Sequence, residues 1–325
     1  MNLDVDIVSF PLKAPFTITG HTWTQTDTLR VTVNEHGRRG RGEAVGAYYL
    51  GETAEGMAAE LEDWIPRLPE NLSPHALLEA MPPCGARSAL DCALWDLRCK
   101  ARSTSVFDEL GLTPRPLHTV FTIGLATPEV MAERARAAAA LPYLKIKLDA
   151  DRPIERLEAI RAARPDAQLV IDVNQGWSFD ELCTYLPHCE RLGIAMIEQP
   201  LPRGADQDLA DLSPQVPLGA DESCLHLSEF ASIPERYQVL NIKLDKCGGL
   251  SEGLALVQAA RQAGMGLMVG NMVGSSLSMA PSFVIALQCQ FVDIDGPLLL
   301  AEDIAGGMTY GEDGSVEPPS PELWG

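Results

Sequence analysis

From about residue 118 onward, short apolar stretches alternate with longer segments whose apolar residues recur at helical spacing. Eight of these stretches have the composition of buried β-strands: FTIGLA, LKIKLD, LVIDVN, AMIEQPL, PLGADES, VLNIKLD, GLMVGN and QFVDIDG. Segments such as PEVMAERARAAAAL fit helices between them. Alternating strands and helices predict a parallel sheet, and eight units predict a closed barrel of the triosephosphate isomerase type. An open doubly wound sheet is the alternative, but no G-x-G-x-x-G follows the first strand.

The first hundred or so residues have a different pattern, in which strands precede helices. The N-terminus, MNLDVDIVSF, predicts a first strand, and TLRVTV and GRGEAV flank the turn-rich NEHGRRG, which predicts a hairpin. In GARSALDCALWDLRCKA, Leu90, Leu94 and Leu97 recur at helical spacing. A smaller α+β domain is therefore expected before the barrel.

Composition narrows the class of partner. The chain has 45 acidic and 25 basic residues and a formal net charge of -20, which argues against binding nucleic acid or an anionic membrane. Its eight cysteines include no C-x-x-C pair, so we expect reduced thiols in a cytoplasmic protein. Residues 264–292 carry no charge, but Asn271, Pro281 and several glycines favour a strand, a loop and a buried helix over a membrane span.

Charged residues share one face of the predicted barrel strands. Each strand sends alternate side chains into the barrel, and the apolar set of each stretch fits the outward face. The inward set comprises Lys145, Lys147, Asp172, Asn174, Asn241, Lys243, Asp245, Asp293 and Asp295. Barrel active sites lie at the C-terminal strand ends, where these residues fall. We therefore expect an active site there rather than a solvated strand face.

The spacing of the charged residues indicates a metal site. Successive members of one series lie 22 to 26 residues apart, about one strand-helix unit: Lys147, Asp172, Glu198, Asp221 and Lys243. Each thus falls near the same height in the barrel. Three converging carboxylates repel one another without a cation, and their oxygen ligands suit Mg²⁺ or Mn²⁺ rather than zinc. Asp172, Glu198 and Asp221 are therefore the predicted metal ligands.

A divalent ion between two lysines suits removal of a proton next to a carboxylate. Strands two and six are opposite in an eightfold ring, so Lys147 and Lys243 should face each other. The ion would take up charge as the carboxylate becomes an enediolate. A nearby cation and burial would lower a lysine pKa, so that one amine is a base and the other an ammonium acid. Removal from one face and return from the other predict racemisation or epimerisation.

Three neighbouring residues have supporting roles in this hypothesis. Lys145 would depress the pKa of Lys147 and contact the substrate carboxylate, with a salt bridge to an interior carboxylate as the alternative. Asp245 would orient Lys243 or form a structural pair, and Asn174 would lie in the shell behind the metal ligands.

These motifs resemble the enolase superfamily, and specifically its dipeptide epimerases. LKIKLD resembles the K-x-K strand of that family, and LNIKLDKCGGLSEGLAL resembles its sixth-strand lysine motif. IDVNQGW, IEQPL and GADES resemble its three metal-ligand strand ends, and GRGEA and ARSALDCALWDL its capping domain. The resemblance implies an α/β fold: a modified (β/α)7β TIM-type barrel over residues 116–299. An α+β capping domain over residues 1–115 would be completed by about 300–325.

The resemblance also bears on the substrate. In dipeptide epimerases, a D-x-D motif on the eighth strand binds the free α-ammonium group, and Asp293 and Asp295 match it; a helix cap or turn is the alternative. L-Ala-D/L-Glu epimerases are expected to carry an arginine in the loop after the first strands. Here that loop, TITGHTWTQTDT, has only His21 and Trp23, which we predict contact the substrate. Lys13, Arg30 or His21 could replace the arginine.

Several activities stay open. The leading hypothesis is Mg²⁺-dependent epimerisation of L-Ala-D/L-Glu or related L-Ala-D/L-Xaa dipeptides. N-acylamino acid racemisation, for example of N-acetylglutamate, and o-succinylbenzoate synthase or cycloisomerase reactions are alternatives, as is a catalytically silent binding protein. A mandelate-racemase-like site needs a histidine base, but no histidine follows His226. We expect a small-molecule substrate, no nucleic acid or membrane partner, and a homo-oligomer.

Overall fold

The computed structural model describes residues 1–325, which form two packed layers of different topology. The N-terminal layer contains β1 (Asn2–Ile18), β2 (His21–Glu35) and β3 (Arg38–Ala44), followed by α1 (Ala54–Trp64), α2 (Pro74–Ala80), α3 (Gly85–Arg102) and α4 (Val106–Leu110). The three strands form an antiparallel sheet in the order β1-β2-β3. The predicted hairpin is confirmed: it turns at His36 and Gly37, whose φ angles are 48° and 74°.

Helix α3 lies directly on this sheet. Leu29, Val31 and Val33 alternate along β2 and are fully buried in the same cluster as the α3 leucines. A side chain at Gly40 or Gly42 of β3 would collide with the backbone of α3 at Ala93 or Ala89, so glycine is what allows the close approach. The predicted helical spacing in this segment therefore marks the face that packs on the sheet.

The second layer is an eight-stranded parallel sheet with helices outside. Its strands are β5 (Phe121–Ile123), β6 (Tyr143–Lys147), β7 (Gln168–Asp172), β8 (Ile194–Glu198), β9 (Leu218–Ala220), β10 (Val239–Ile242), β11 (Gly266–Val269) and β12 (Phe291–Val292), after a short β4 (Leu117–His118). The sheet order follows the chain order, and the Val120 N–H donates to Val292 O at 2.8 Å, which joins the two edges. All eight predicted strands are present.

The helices between these strands include α5 (Pro128–Ala137), α6 (Pro153–Ala163), α7 (Phe179–Arg191), α8 (Leu244–Cys247), α9 (Leu250–Gln262), α10 (Ser276–Ala286) and α11 (Gly296–Leu299); β13 (Ser315–Val316) pairs with β4. The uncharged stretch 264–292 forms β11, a loop and the buried α10, as predicted. No helix is both long enough and apolar enough to cross a membrane.

The interior of the barrel sheet is divided along its axis. Four apolar side chains fill one part of it: Val170, Met196, Val239 and Met268. The outward residues, such as Leu144, Ile146 and Ile171, are fully buried against the helices. The polar residues predicted from the alternating pattern therefore lie nearer to the C-terminal strand ends than these four apolar side chains do.

The C-terminal segment returns to the N-terminal layer. The Trp324 indole donates to Cys92 O at 2.9 Å, the Gly325 N–H donates to Asp96 Oδ1 at 2.8 Å, and Arg41 donates to Leu323 O at 2.6 Å. These contacts support the predicted division, in which residues 300–325 complete the capping domain. The boundaries themselves stay a prediction.

Arg87 of α3 links the two layers through a buried network. Its guanidinium is 2% exposed and donates to three backbone carbonyls and to one carboxylate: Met81 O, Cys247 O, Gly248 O and Glu252. Two of the carbonyls and the carboxylate belong to the barrel side, from the α8–α9 region.

Replacement of Arg87 by alanine should therefore lower the free energy of unfolding by about 3–5 kcal/mol, because it leaves a buried carboxylate and three carbonyls unpaired. Urea unfolding measures this change. Arg98 of the same helix pairs with Glu109 while 37% of its side chain is exposed, so Arg98→Ala should cost less than about 1 kcal/mol. Equal losses in the two variants would contradict the linking role.

Candidate active site

A cavity of about 440 Å³ lies between the N-terminal layer, from here on called the capping layer, and the C-terminal ends of the barrel strands. Both layers contribute to its lining, which includes Lys147, Asn174, Glu222, Lys243 and Asn271 from the barrel, and Trp23, Tyr48, Tyr49 and Glu52 from the capping layer. Lys147 and Lys243 are its only basic residues, and no arginine lines it. The two lysines predicted to act together are therefore brought into one space.

Strand register explains why the charged residues meet. Lys147 pairs with Asp172 across β6 and β7, and Asp172 pairs with Glu198 across β7 and β8. Asp221 follows β9 and Lys243 follows β10, each at the strand end. Because parallel strands share one direction, these ends converge on one edge of the sheet.

Lys145 lies among three carboxylates. Its Nζ is 3.0 Å from Asp172 Oδ2, 2.8 Å from Glu198 Oε2 and 2.7 Å from Asp293 Oδ2, and the residue is 1% exposed. Of the two predicted roles, the salt bridge to interior carboxylates is the one present in this structure.

Lys147 and Lys243 bind different carboxylates. Lys147 Nζ donates to Asp172 Oδ2 at 2.6 Å and to Asn174 Oδ1 at 3.0 Å, and the Asn174 N–H donates to Asp172 Oδ1 at 3.0 Å. Lys243 Nζ donates to Asp221 Oδ2 at 2.7 Å. Asn174 thus positions both a lysine and a carboxylate, and its φ of 46° suits asparagine better than most residues.

Lys246 is a site residue that the sequence analysis missed. Its Nζ contacts Asp221 Oδ1 and Asp221 O, each at 2.6 Å, and the residue is 2% exposed. A signal existed in the sequence, because Lys246 lies three residues after Lys243 and so one helical turn along the chain. Asp221 is therefore held between two ammonium groups.

Gln199 is a second missed residue. It directly follows Glu198 with a φ of 36°, and its Oε1 accepts the N–H groups of Asp221 and Ser223 at 3.0 Å each. The side chain thus aligns the end of β9 with the end of β8. The strained backbone is stabilised by these buried hydrogen bonds.

Glu222 was also missed, although it follows Asp221 in the quoted GADES motif. It is 1% exposed and lines the cavity, and neither carboxylate oxygen has a hydrogen-bond partner in the protein. Burial, and then the nearby Asp221 and Asp172 charges, raise the pKa of Glu222 to about 8. The Tyr49 hydroxyl beside the cavity is likewise without a partner.

The buried charged groups strongly shift one another's pKa values. Burial opposes ionisation of Asp172, but Lys145 and Lys147 overcome it and lower the Asp172 pKa to about 2. The pKa of Asp221 is likewise lowered against its burial, by Lys243 and Lys246. Burial and repulsion by Asp172 raise the pKa of Glu198 to about 7.

The lysine pKa values differ from the expectation. Burial by itself would lower the pKa of Lys145 and Lys243, but the surrounding carboxylates outweigh it and raise both. The sequence analysis expected a lowered pKa at a catalytic lysine, and for Lys243 the direction in this structure is the opposite. The reason is that the ammonium groups here are the cations that neutralise the carboxylates.

Asp172, Glu198 and Asp221 therefore all lie against lysines. No group of three or more His, Cys, Asp or Glu side chains has the geometry of a metal site in this structure. The donor chemistry still fits Mg²⁺, because Asp172, Glu198 and Asp221 are fully buried and supply only oxygen. Glu198 Oε2 accepts no hydrogen bond of good geometry, although Lys145 Nζ lies 2.8 Å away. The Lys145 amine thus already lies where Asp172 and Glu198 converge.

Asp293 and Asp295 have separate environments. Asp293 Oδ2 binds Lys145, and its Oδ1 accepts from Asn271 Nδ2 at 3.0 Å. Asp295 Oδ2 accepts the Thr122 N–H at 2.8 Å, and burial followed by the Asp293 charge raises the Asp295 pKa to about 7. Asp295 is the N-cap residue of α11, but its side chain makes no capping hydrogen bond.

His21 and Trp23 belong to an aromatic cluster at the cavity wall. Their rings stack with centroids 5.4 Å apart, and Tyr48 meets them edge-on at 4.6 and 5.1 Å. Trp23 and Tyr48 line the cavity, whereas His21 is exposed and does not line it. Lys13 donates to Leu298 O and Arg30 pairs with Glu43, and neither residue lines the cavity.

Asp245 does not bind Lys243. Its Oδ1 instead accepts the N–H groups of Val45 and Gly46, at 2.7 and 2.9 Å. The carboxylate thus connects the barrel to the capping layer.

Family comparisons match nearly the whole chain. Residues 2–111 match the mandelate racemase / muconate lactonizing enzyme N-terminal domain, and residues 130–322 match the enolase C-terminal domain-like family. An L-Ala-D/L-Glu epimerase of Escherichia coli is 37% identical over 93% of this chain and 95% of the relative. An N-acetyl-D-glutamate racemase of a Pseudoalteromonas species is 41% identical over 77% and 79%.

Solved structures agree with this match. An enolase family member from Agrobacterium tumefaciens with homology to dipeptide epimerases, with bound sodium and L-Ala-L-Glu, has a TM-score of 0.95 and 42% identity over 99% of both chains. A dipeptide epimerase from Methylococcus capsulatus, in complex with Mg and L-Arg-D-Lys, has a TM-score of 0.89 and 31% identity over 99% of this chain and 98% of the other.

Proposed function

Because this chain belongs to the enolase superfamily, with the mandelate racemase and muconate lactonizing enzyme domains, we propose that it is an isomerase that epimerises L-Ala-D/L-Xaa dipeptides. The observation that carries the proposal is the cavity in which Lys147 and Lys243 are the only basic groups and bind different carboxylates. Two amines at one space can serve opposite faces of a single α-carbon.

In this proposal, one lysine removes the α-proton and the other returns a proton to the opposite face. The reaction balances without another reactant, because one C–H bond breaks and one forms. Lys145 is bound to three buried carboxylates and does not line the cavity, so it supplies positive charge behind the substrate carboxylate. Asn174 keeps Lys147 aligned with Asp172. Asp293 and Asp295 would receive the free α-ammonium group, although both are buried outside the cavity lining in this structure. Trp23 and Tyr48, which line the cavity, contact the epimerised side chain.

Asp172, Glu198 and Asp221 would hold Mg²⁺. The ion supplies charge stabilisation to the substrate carboxylate as the α-proton leaves. A second effect concerns Lys243, whose pKa is raised in this structure mainly by the charge of Asp221. If Asp221 held the ion, its charge would no longer raise the pKa of Lys243 to the same extent. That change would bring the lysine towards the state expected of a general base.

The proposal names no single amino acid as the second residue of the dipeptide, for a physical reason. The cavity has no arginine for a glutamyl side chain, and its lining includes the acidic residues Asp27, Glu52, Glu55 and Glu222. N-acylamino acid racemisation is the second candidate, favoured by the N-acetyl-D-glutamate racemase relative and by Asp293 being paired with Lys145 already. A free α-ammonium group would have to compete with that lysine.

The two candidates predict different substrates for α-proton exchange. The protein with Mg²⁺ in D2O should exchange the α-proton of the second residue in L-Ala-L-Xaa dipeptides, with rates at least about tenfold above those of matched N-acetyl amino acids. Proton NMR measures both. Asp293→Asn should selectively slow the dipeptides. Exchange confined to N-acyl substrates would reject the dipeptide assignment.

We further propose a homo-oligomer in the cytoplasm. All eight cysteines are free, which suits a reducing compartment. Light scattering on the purified protein gives the oligomeric state, and a monomer would reject that part of the proposal.

A further inference from the structure

The segment 45–52, here called the capping loop, joins β3 to α1 and forms one wall of the cavity. It contains Tyr48 and Tyr49, both of which line the cavity. The Tyr48 ring meets His21 and Trp23, and Tyr49 meets Tyr48 edge-on at 5.1 Å. A shift of this loop therefore moves Tyr48 and Tyr49 relative to Trp23 of β2.

Two buried carboxylates hold the start of this loop through its backbone. Asp245 Oδ1 accepts the Val45 and Gly46 N–H groups at 2.7 and 2.9 Å, and Glu52 Oε2 accepts the Ala47 N–H at 2.6 Å. Three consecutive N–H groups are thus satisfied by side chains rather than by a sheet. Gly46 has a φ of 82°, which suits the turn that aims these groups.

The two carboxylates come from different parts of the molecule. Glu52 ends the loop itself and also accepts the Gly85 N–H at the start of α3, at 2.8 Å, so it ties the loop within the capping layer. Asp245 belongs to the barrel, two residues after Lys243, and is 7% exposed. Asp245 is therefore the one that fixes the loop relative to the lysine.

We propose that Asp245 is a positioning residue that sets the distance between the Tyr48–Trp23 wall and Lys243, and thereby the fit of the substrate side chain to the cavity. The kinetic part of this inference rests on the proposed epimerisation. The structural part does not, since it concerns only the anchoring of the loop. Asp245 then acts on the substrate through Val45 and Gly46, and not on the Lys243 amine.

Two variants of Asp245 test the role. Asp245→Ala removes both hydrogen bonds and should raise KM by about tenfold or more, with kcat changed by less than about threefold. Asp245→Asn keeps an oxygen that can accept both N–H groups, so KM should stay within about threefold of the parent value. The matched control is Asp91→Ala: Asp91 also bridges the two layers, accepting the Ser251 N–H at 2.9 Å and hydroxyl at 2.6 Å, but it does not line the cavity.

Exchange in D2O separates action through the loop from action on Lys243. In Asp245→Ala, α-proton exchange of the two stereoisomers should fall by the same factor, because the wall contacts both. Loss confined to one stereoisomer would mean that Asp245 orients Lys243, and would overturn the proposal. The proposal would also be overturned if Asp245→Ala left KM unchanged and lost only as much stability as Asp91→Ala.

Hydrogen–deuterium exchange of the intact protein gives a readout that needs no substrate. Backbone amides of residues 45–52 should exchange at least about tenfold faster in Asp245→Ala, but not in Asp91→Ala. Unchanged exchange there would overturn the anchoring role even if the parent enzyme epimerises dipeptides. If the parent protein fails to epimerise dipeptides while the loop exchanges faster, the proposed function fails and the anchoring role is retained.

Discussion

Replacing Lys243 by alanine should abolish epimerisation in both directions, with a loss of about 10³-fold or more, while α-proton exchange persists from one stereoisomer. The reason is geometric: Lys243 and Lys147 bind different carboxylates, Asp221 just after β9 and Asp172 at the end of β7, and both lysines line one cavity. Each amine can reach one face of the α-carbon. Loss of one amine removes the proton donor for inversion but leaves the remaining base to exchange its own face.

Lys147→Ala should show the complementary pattern, with exchange only from the other stereoisomer. Proton NMR in D2O, started separately from each stereoisomer, measures exchange and inversion in one experiment. Lys13→Ala provides a control, because Lys13 lies outside the cavity and donates only to Leu298 O. Full epimerisation by either cavity variant would reject the two-base mechanism.

Removal of Mg²⁺ with a chelator should abolish exchange from both stereoisomers, again by about 10³-fold or more. The effect is symmetric because the three predicted ligands serve the substrate carboxylate rather than one face of the α-carbon. In the structure Asp172 and Asp221 are bound by Lys145, Lys147, Lys243 and Lys246, and Glu198 lies next to Lys145. Readdition of Mg²⁺ should restore both rates.

A binding measurement accompanies this experiment. Mg²⁺ should raise the thermal unfolding midpoint of the parent protein, since ligands that bind only the folded state stabilise it. Glu198→Gln replaces a carboxylate whose Oε2 accepts no good hydrogen bond, and should remove that increase. Persistent exchange in excess chelator would reject the metal-dependent reaction, and an increase retained by Glu198→Gln would place the ion elsewhere.

The positioning of the two layers connects these predictions. The two cavity lysines, Lys147 and Lys243, belong to the barrel, whereas Trp23, Tyr48 and Tyr49 belong to the capping layer. Arg87, Asp91 and Asp245 each bridge the layers, but only Asp245 binds the loop that lines the cavity. Stability and substrate fit are therefore expected to depend on different bridging residues.

The barrel strands and the charged residues at their ends could be predicted from local patterns in the sequence. Strand periodicity placed Lys145 and Lys147 together, and the constant spacing placed Asp172, Glu198 and Asp221 on neighbouring strand ends. Both are local properties of the chain: side chains alternate along a strand, and one strand-helix unit has a nearly fixed length. The hairpin at His36 and Gly37 was predictable for the same reason.

The tertiary structure alone decided which groups pair. Asp245 binds Val45 and Gly46, about two hundred positions earlier in the chain, and no periodicity specifies such a contact. The raised lysine pKa at Lys243 and the unpartnered Glu222 likewise depend on the distances and burial of surrounding charges. Electrostatic and hydrogen-bond partners are set by three-dimensional packing. The sequence therefore predicted which charged residues converge, but not how they pair or how their pKa values shift.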